Sequence, residues 1–217
     1  MPASSVTAPV RPPRPTQPDD PVKRLFDVVL AAVLLLLTAP LMAVVAAVVA
    51  VNLGRPVLFR QCRIGRDDQP FELIKFRTMR APDPARGLLT DADRLTPLGR
   101  WLRATSLDEL PTLWCVLRGD MSIVGPRPLL PEYLGRYSPT QARRHEVRPG
   151  ITGLAQVRGR NSLDWDTKFT LDVEYVTRRS LRLDLSILVA TVRTVMRRDG
   201  ISADGSATMP EFLGSRR

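Results

Sequence analysis

Between Val28 and Val51 lie twenty-four residues without a charge, VVLAAVLLLLTAPLMAVVAAVVAV, with Pro40 near their middle. This stretch limits the fold more than any other. Its length is enough for a membrane-crossing helix. Pro40 opposes a straight one, because it lacks a backbone donor and its ring crowds the carbonyl one turn back. Twelve residues of the run precede it and eleven follow. Each half would rise only about 17–18 Å, short of a hydrocarbon core of about 30 Å. Both flanks are basic, with Lys23 and Arg24 before the run and Arg55, Arg60, Arg63 and Arg66 after it. Basic flanks favour the cytoplasmic side. The expectation is a re-entrant helix over residues 23–53, broken at Ala39-Pro40, that enters one leaflet and returns. A kinked span is the alternative. A secretory signal fits poorly, since its apolar core would be shorter and would not follow a Pro-rich lead of this length.

Residues 1–22 hold seven prolines and read as a disordered tail. A cytoplasmic α+β domain is expected over 54–200, with a C-terminal tail over 201–217. Two strands, PVLFRQCRIG and PFELIKFRTMR, flank the turn residues GRDDQ. Thr96-Pro97 marks the start of one helix. A second should run from Ser106 to about Arg118, stopped by Gly119. Another opens at Ser138-Pro139 and carries Arg143, Arg144 and His145. Two more cover about Trp165–Arg179 and Asp184–Arg198. The last is either a core helix or an interfacial one, apolar on one side with arginines at its end.

The formal net charge is +10, which points to a polyanionic partner: nucleic acid, anionic lipid or a phosphorylated substrate. Nucleic acid is set aside for want of an aromatic platform or a binding motif. Cys62 and Cys115 form no CxxC pattern, and the single His145 makes a His-built metal site improbable on count alone.

Within this basic chain, TSLDELP places Asp108 beside Glu109. Ser106-x-x-Glu109 matches a capping box, in which the serine accepts from the Glu109 amide and the glutamate reaches back to the Ser106 amide. That structural role would explain the pair by itself. Its surroundings suggest more. Arg103 lies five residues before Asp108, Lys75 and Arg77 alternate on one side of a strand, Arg127 sits between two prolines, and Arg148 precedes another. Arginine offers planar paired donors to phosphate oxygens.

KRLFD, FRQCRIG, KFRTM, LRATSLDELP, LRGDMSIVGPRPLLPEY, RHEVRPGITGLAQVRGRN and ISADG occur in this order. Together they closely resemble the monotopic polyprenyl-phosphate phosphoglycosyl transferases of the bacterial sugar transferase family. The resemblance implies transfer of a phosphosugar from a UDP-sugar to undecaprenyl phosphate, with release of UMP, at the cytoplasmic face of the bacterial inner membrane. It implies that Asp108 and Glu109 are the catalytic dyad, Asp108 forming an aspartyl-phosphosugar, with Mg²⁺ as cofactor held at the same pair. It places Arg103 at the polyprenyl phosphate and Lys75, Arg77 and Arg127 at substrate phosphates. Arg148, Gln156 and Arg160 would lie near the nucleotide. It also suggests an N-acetylated donor and contact with membrane phospholipid. The family's membrane break is Ser-Pro; here it is Ala39-Pro40 with Thr38 just before, so the Thr38 hydroxyl is expected to bond a preceding carbonyl. A membrane-anchored lipid or polyanion binder without activity is the competing reading.

Overall fold

A computed structural model of the protein describes residues 20–159, 162–197 and 211–214. Most of the Pro-rich tail, Arg160 and most of the C-terminal tail lie outside them.

Helix α1 spans Pro21–Leu53, two residues ahead of the expected start. Asp20 caps it, accepting from the amides of Val22 and Lys23 at 2.9 and 3.3 Å. The helix is continuous through Pro40, so the expected break is absent as an interruption of secondary structure. Proline removes one donor, while the bonds on either side of it persist. The Thr38 hydroxyl donates to the Leu34 carbonyl at 2.7 Å, one turn back, as anticipated. One stripe of α1 packs on the rest of the protein along both halves. Leu30, Ala31, Leu34 and Leu35 join the central core; Met42, Val45, Ala46, Val49 and Leu53 join a second cluster with Phe76 and Leu102. The other faces stay bare, with Leu36 78% and Val51 85% exposed. Among the described residues, α1 is the one helix long and apolar enough to cross a membrane.

Strands β1 (Leu58–Ile64) and β2 (Pro70–Phe76) form the expected antiparallel hairpin, with Phe59 opposite Lys75 and Cys62 opposite Glu72. Helix α2 (Asp91–Arg94) is a single capped turn. Helix α3 (Pro97–Ala104) begins at the expected Thr96 cap, whose hydroxyl accepts from the Gly99 amide at 3.0 Å. Gly99 is needed for close approach, because a Cβ there would lie 1.9 Å from the Thr78 carbonyl oxygen.

The expected helix from Ser106 is divided. A 3₁₀ segment, Leu107–Thr112, leads into α4 (Leu113–Arg118). Pro111 at this junction cannot donate an amide bond, which favours the change of winding. Gly119 stops α4 at φ 103°. Strands β3 (Ser122–Val124) and β4 (Gly150–Thr152) pair in parallel. The segment after Ser138 forms 3₁₀ turns over Gln141–Glu146. Helices α5 (Leu154–Val157), α6 (Trp165–Arg178) and α7 (Leu181–Arg197) complete the domain. α7 has a buried side, as expected of a core helix, and a bare apolar side. Asp184 and Ile187 are buried, while Leu185, Val189, Val192 and Met196 lie exposed at helical spacing. A separate aromatic cluster gathers Tyr133, Tyr137, Trp165, Phe169 and Phe212.

Candidate active site

The acidic pair sits on the 3₁₀ segment, and the backbone before it is unusual. Ser106 has φ 57° and ψ 17° and makes no side-chain capping bond. A non-glycine residue in this left-handed region carries strain, a recurrent mark of functional turns. The capping box expected here is therefore absent. Glu109 turns away from Ser106 and accepts from Arg127 Nη2 at 2.7 Å. A guanidinium offers the carboxylate a full opposite charge, where the capping amide offers only a dipole.

Asp108 is only 4% exposed. Burial, and then the charge of Glu109, push its carboxyl up to about 6, against the opposing pull of Lys75, Arg103 and Arg127. Lys75 arrives on β2; burial holds its ammonium below the usual lysine range, while Asp108 favours its charge. Arg103 arrives on α3, with Nε donating to the Thr78 hydroxyl at 3.1 Å. Arg127 comes from the GPRP turn. Behind that turn, the buried Arg144 donates to the Arg127 carbonyl at 2.6 Å and holds Asp172 through Nε and Nη2 at 3.0 and 2.9 Å. All these cations and both acids line one cavity of about 1380 Å³. The arrangement joins a buried carboxylate of raised basicity to cationic donors around a space large enough for a nucleotide sugar.

The family model for bacterial sugar transferases matches residues 18–198. The chain belongs to that family. This sugar transferase is 51% identical over 195 residues to the uncharacterized sugar transferase EpsL of Bacillus subtilis, covering 89% of this chain and 96% of that one. It is 44% identical to the UDP-glucose:undecaprenyl-phosphate glucose-1-phosphate transferase of Caulobacter vibrioides, over 82% of this chain and 70% of the relative. Against the undecaprenyl-phosphate galactose phosphotransferase of Salmonella typhimurium it is 39% identical, over 82% of this chain but 41% of that longer protein.

In this sugar transferase, Asp108, Glu109, Lys75, Arg103, Arg127 and Gln156 share the cavity. Both polar atoms of the Gln156 amide are buried without a partner among the described residues. Arg77 also lines the cavity, but its guanidinium donates to the Leu53 and Gly54 carbonyls at the end of α1. Those carbonyls, left without amide partners by the end of the helix, attract a cation. Arg148 is not among the cavity residues and donates to the Gly119 carbonyl at 2.8 Å. Arg160 lies outside the described residues. His145 is buried against Asp68, Nδ1 to Oδ1 2.5 Å, and is not a cavity residue. Sequence reasoning did not select Arg63, Lys168 or Arg144 for the site. Arg144 and Lys168 become legible only when α6 folds against the GPRP turn.

Proposed function

We propose that the protein transfers a phosphosugar from a UDP-sugar to undecaprenyl phosphate and releases UMP, with Asp108 as nucleophile. The observation that carries this reading is the placement of Asp108: buried, and sharing one cavity with Lys75, Arg103 and Arg127. In the first step an Asp108 carboxylate oxygen bonds the β-phosphorus. The bond from that phosphorus to the bridging oxygen breaks, and its electron pair leaves with UMP. In the second step an oxygen of the lipid phosphate attacks the same phosphorus, and the Asp108 carboxylate departs. Lys75, Arg103 and Arg127 offset the repulsion between carboxylate and pyrophosphate and stabilise charge that builds on the leaving oxygen. Glu109 fixes Arg127, and Arg144 fixes the turn that bears it.

The donor set suits Mg²⁺, which takes one or two carboxylates together with phosphate oxygens. Asp108 and Glu109 are the residues that would hold it. Among the described residues no group of three or more His, Cys, Asp or Glu side chains is clustered for a metal, so substrate oxygens would complete its shell. When bound, it supplies charge neutralisation at the pyrophosphate.

The relatives' names specify glucose and galactose. The donor proposed is accordingly a UDP-hexose; the N-acetylated donor expected from the resemblance draws no support from them. We further propose that α1 lies in the cytoplasmic leaflet of the inner membrane among phospholipids without crossing. Both of its halves pack on the same domain, and both ends are tethered there, through Lys23 to Asp184 at 2.8 Å and through Arg77 to Leu53.

UMP release tests the reaction. With UDP-glucose or UDP-galactose and undecaprenyl phosphate, catalytic release is expected to require the lipid. Release at the same rate without lipid would make the protein a hydrolase, and no release with any UDP-sugar would leave the silent binder.

A further inference from the structure

Resting on the transferase reading, we propose that Arg63 and Lys168 form a separate arm of the cavity that binds the phosphate of the departing nucleotide. Arg63, Lys75, Arg103 and Lys168 all feel Arg127 but differ in the acids beside them. Lys75 and Arg103 stand next to Asp108, and both feel its charge. They belong to the side built on α1: Arg103 extends from α3, whose neighbouring Leu102 packs with Val45 and Val49 of α1. A lipid phosphate must arrive along that side, since its chain stays in the membrane.

Arg63 comes from β1 and Lys168 from α6, and Asp108 is not among the charges that shift either. Arg63 is the penultimate residue of β1; its Nη1 donates to the Pro128 carbonyl at 3.4 Å and its Nη2 to Gln61 at 2.7 Å, and the next residue's amide binds the Leu129 carbonyl at 3.1 Å. The guanidinium is thus pinned against the turn that bears Arg127. Lys168 stands on α6 one turn before Asp172, the acid that holds Arg144 and through it the Arg127 carbonyl. Its ammonium lies 5.3 Å from the centre of the Trp165 ring. Both side chains line the cavity. Burial and then the charge of Arg127 lower both groups, Arg63 to about 10 and Lys168 to about 8. Carboxylates share part of this charge, Glu132 and Glu109 beside Arg63 and Asp172 and Asp164 beside Lys168, and a ligand phosphate in the cavity would add to them. A soluble nucleotide enters and leaves through the side away from α1, and its phosphate carries the charge released in the first step. The dyad then lies between two phosphate positions, one for the group that departs and one for the group that arrives.

The test uses the full chain in lipid nanodiscs, with UMP as the probe. Lys168→Gln and Arg63→Gln are each expected to weaken UMP binding by roughly tenfold, the loss of one charge-assisted contact. Each should raise KM for the UDP-sugar and leave KM for undecaprenyl phosphate within about twofold, whereas Arg103→Gln should raise KM for the lipid. Lys168→Arg keeps the charge and should retain UMP binding, which separates phosphate contact from damage to folding. UMP affinity unchanged in both Gln variants, or a rise confined to the lipid KM, would overturn the assignment. UMP binding needs no turnover, so it tests this arm even if no UDP-sugar is a donor.

Discussion

Two buried clusters in this protein pair a lysine with two acids, and they serve different ends. In the first, Lys23 Nζ lies 3.3 Å from Asp27 and 2.8 Å from Asp184. Asp27 also accepts from the Ser122 hydroxyl at 2.8 Å and the Ile123 amide at 3.1 Å, and Asp184 from the Tyr175 hydroxyl at 2.8 Å. The space beside them is about 20 Å³, room for about one water. In the second, Asp108 and Glu109 face Lys75 across about 1380 Å³. Burial raises a carboxyl in each cluster, Asp184 in the first and Asp108 in the second. A raised pKa therefore marks burial, not catalysis. What separates the clusters is space for a ligand and surplus cations facing it. The first cluster ties α1 to β3, α6 and α7; the second opens on a cavity lined by further cations, the phosphate site proposed above.

Exchanging acid for amide in each cluster should split them most widely. Asp108→Asn is expected to lower transfer by at least ~10⁴-fold, as loss of a nucleophile does, with α1 still membrane-bound. Asp184→Asn should leave turnover per folded molecule within about threefold and cost ~1–3 kcal/mol of stability through its lost partners. Urea melts and UMP release on the same preparations check both, and the reverse pattern would break the comparison. Next in size, Arg127→Lys and Arg103→Lys keep charge but lose the planar fork. Each should reduce activity by ~10–100-fold, with membrane binding unchanged in vesicle flotation.

The third expectation concerns pH. Asp108 must be ionised to attack, so kcat/KM for the UDP-sugar should fall as pH drops through about 6. The sign for stability is opposite. Because its folded pKa is raised above the unfolded value of 3.8, this group favours folding at low pH, and that contribution is lost as pH rises through about 6. At pH 7 Asp108→Asn should thus be more stable than the parent by ~1–3 kcal/mol. A parent that proves the more stable would show Asp108 to be a structural acid like Asp184. The smallest effect concerns Lys168, which faces Arg127 and, on its own helix, Asp172 and Asp164. Its charge is lost as pH rises through about 8, so UMP affinity should fall several-fold between pH 7 and 9 in the parent, and stay level in Lys168→Arg.

Much of the fold was legible where the signal is local. The β1–β2 hairpin follows from two alternating segments around GRDDQ, α3 from Thr96-Pro97, and the end of α4 from Gly119. The acidic pair was legible as a candidate site, but its contacts were not. Ser-x-x-Glu describes a neighbouring bond, whereas the partner of Glu109 is Arg127, eighteen residues further on. Arg77 was expected on a strand face with Lys75, yet it lies one residue past β2 and the end of α1 claims it. The β3–β4 pair is three residues on each side, too short to leave a period. Pro40 gave a true local penalty, but a penalty at one residue does not end a helix whose two halves share one packing stripe. Lys168 lies outside the segments that carry the family resemblance, and Arg144, though it opens RHEVRPGITGLAQVRGRN, has nothing beside it in sequence that shows its bond to the GPRP turn.

The covalent step is the central claim, and intact mass measures it most directly. The full chain is incubated with UDP-glucose or UDP-galactose and no lipid, then weighed and digested. A mass gain of one hexose phosphate less one water is expected, mapped to the peptide containing Asp108, lost on addition of undecaprenyl phosphate and absent from Asp108→Asn. An unmodified chain that nonetheless turns over UDP-sugar when lipid is added, or an adduct on any residue other than Asp108, would contradict it.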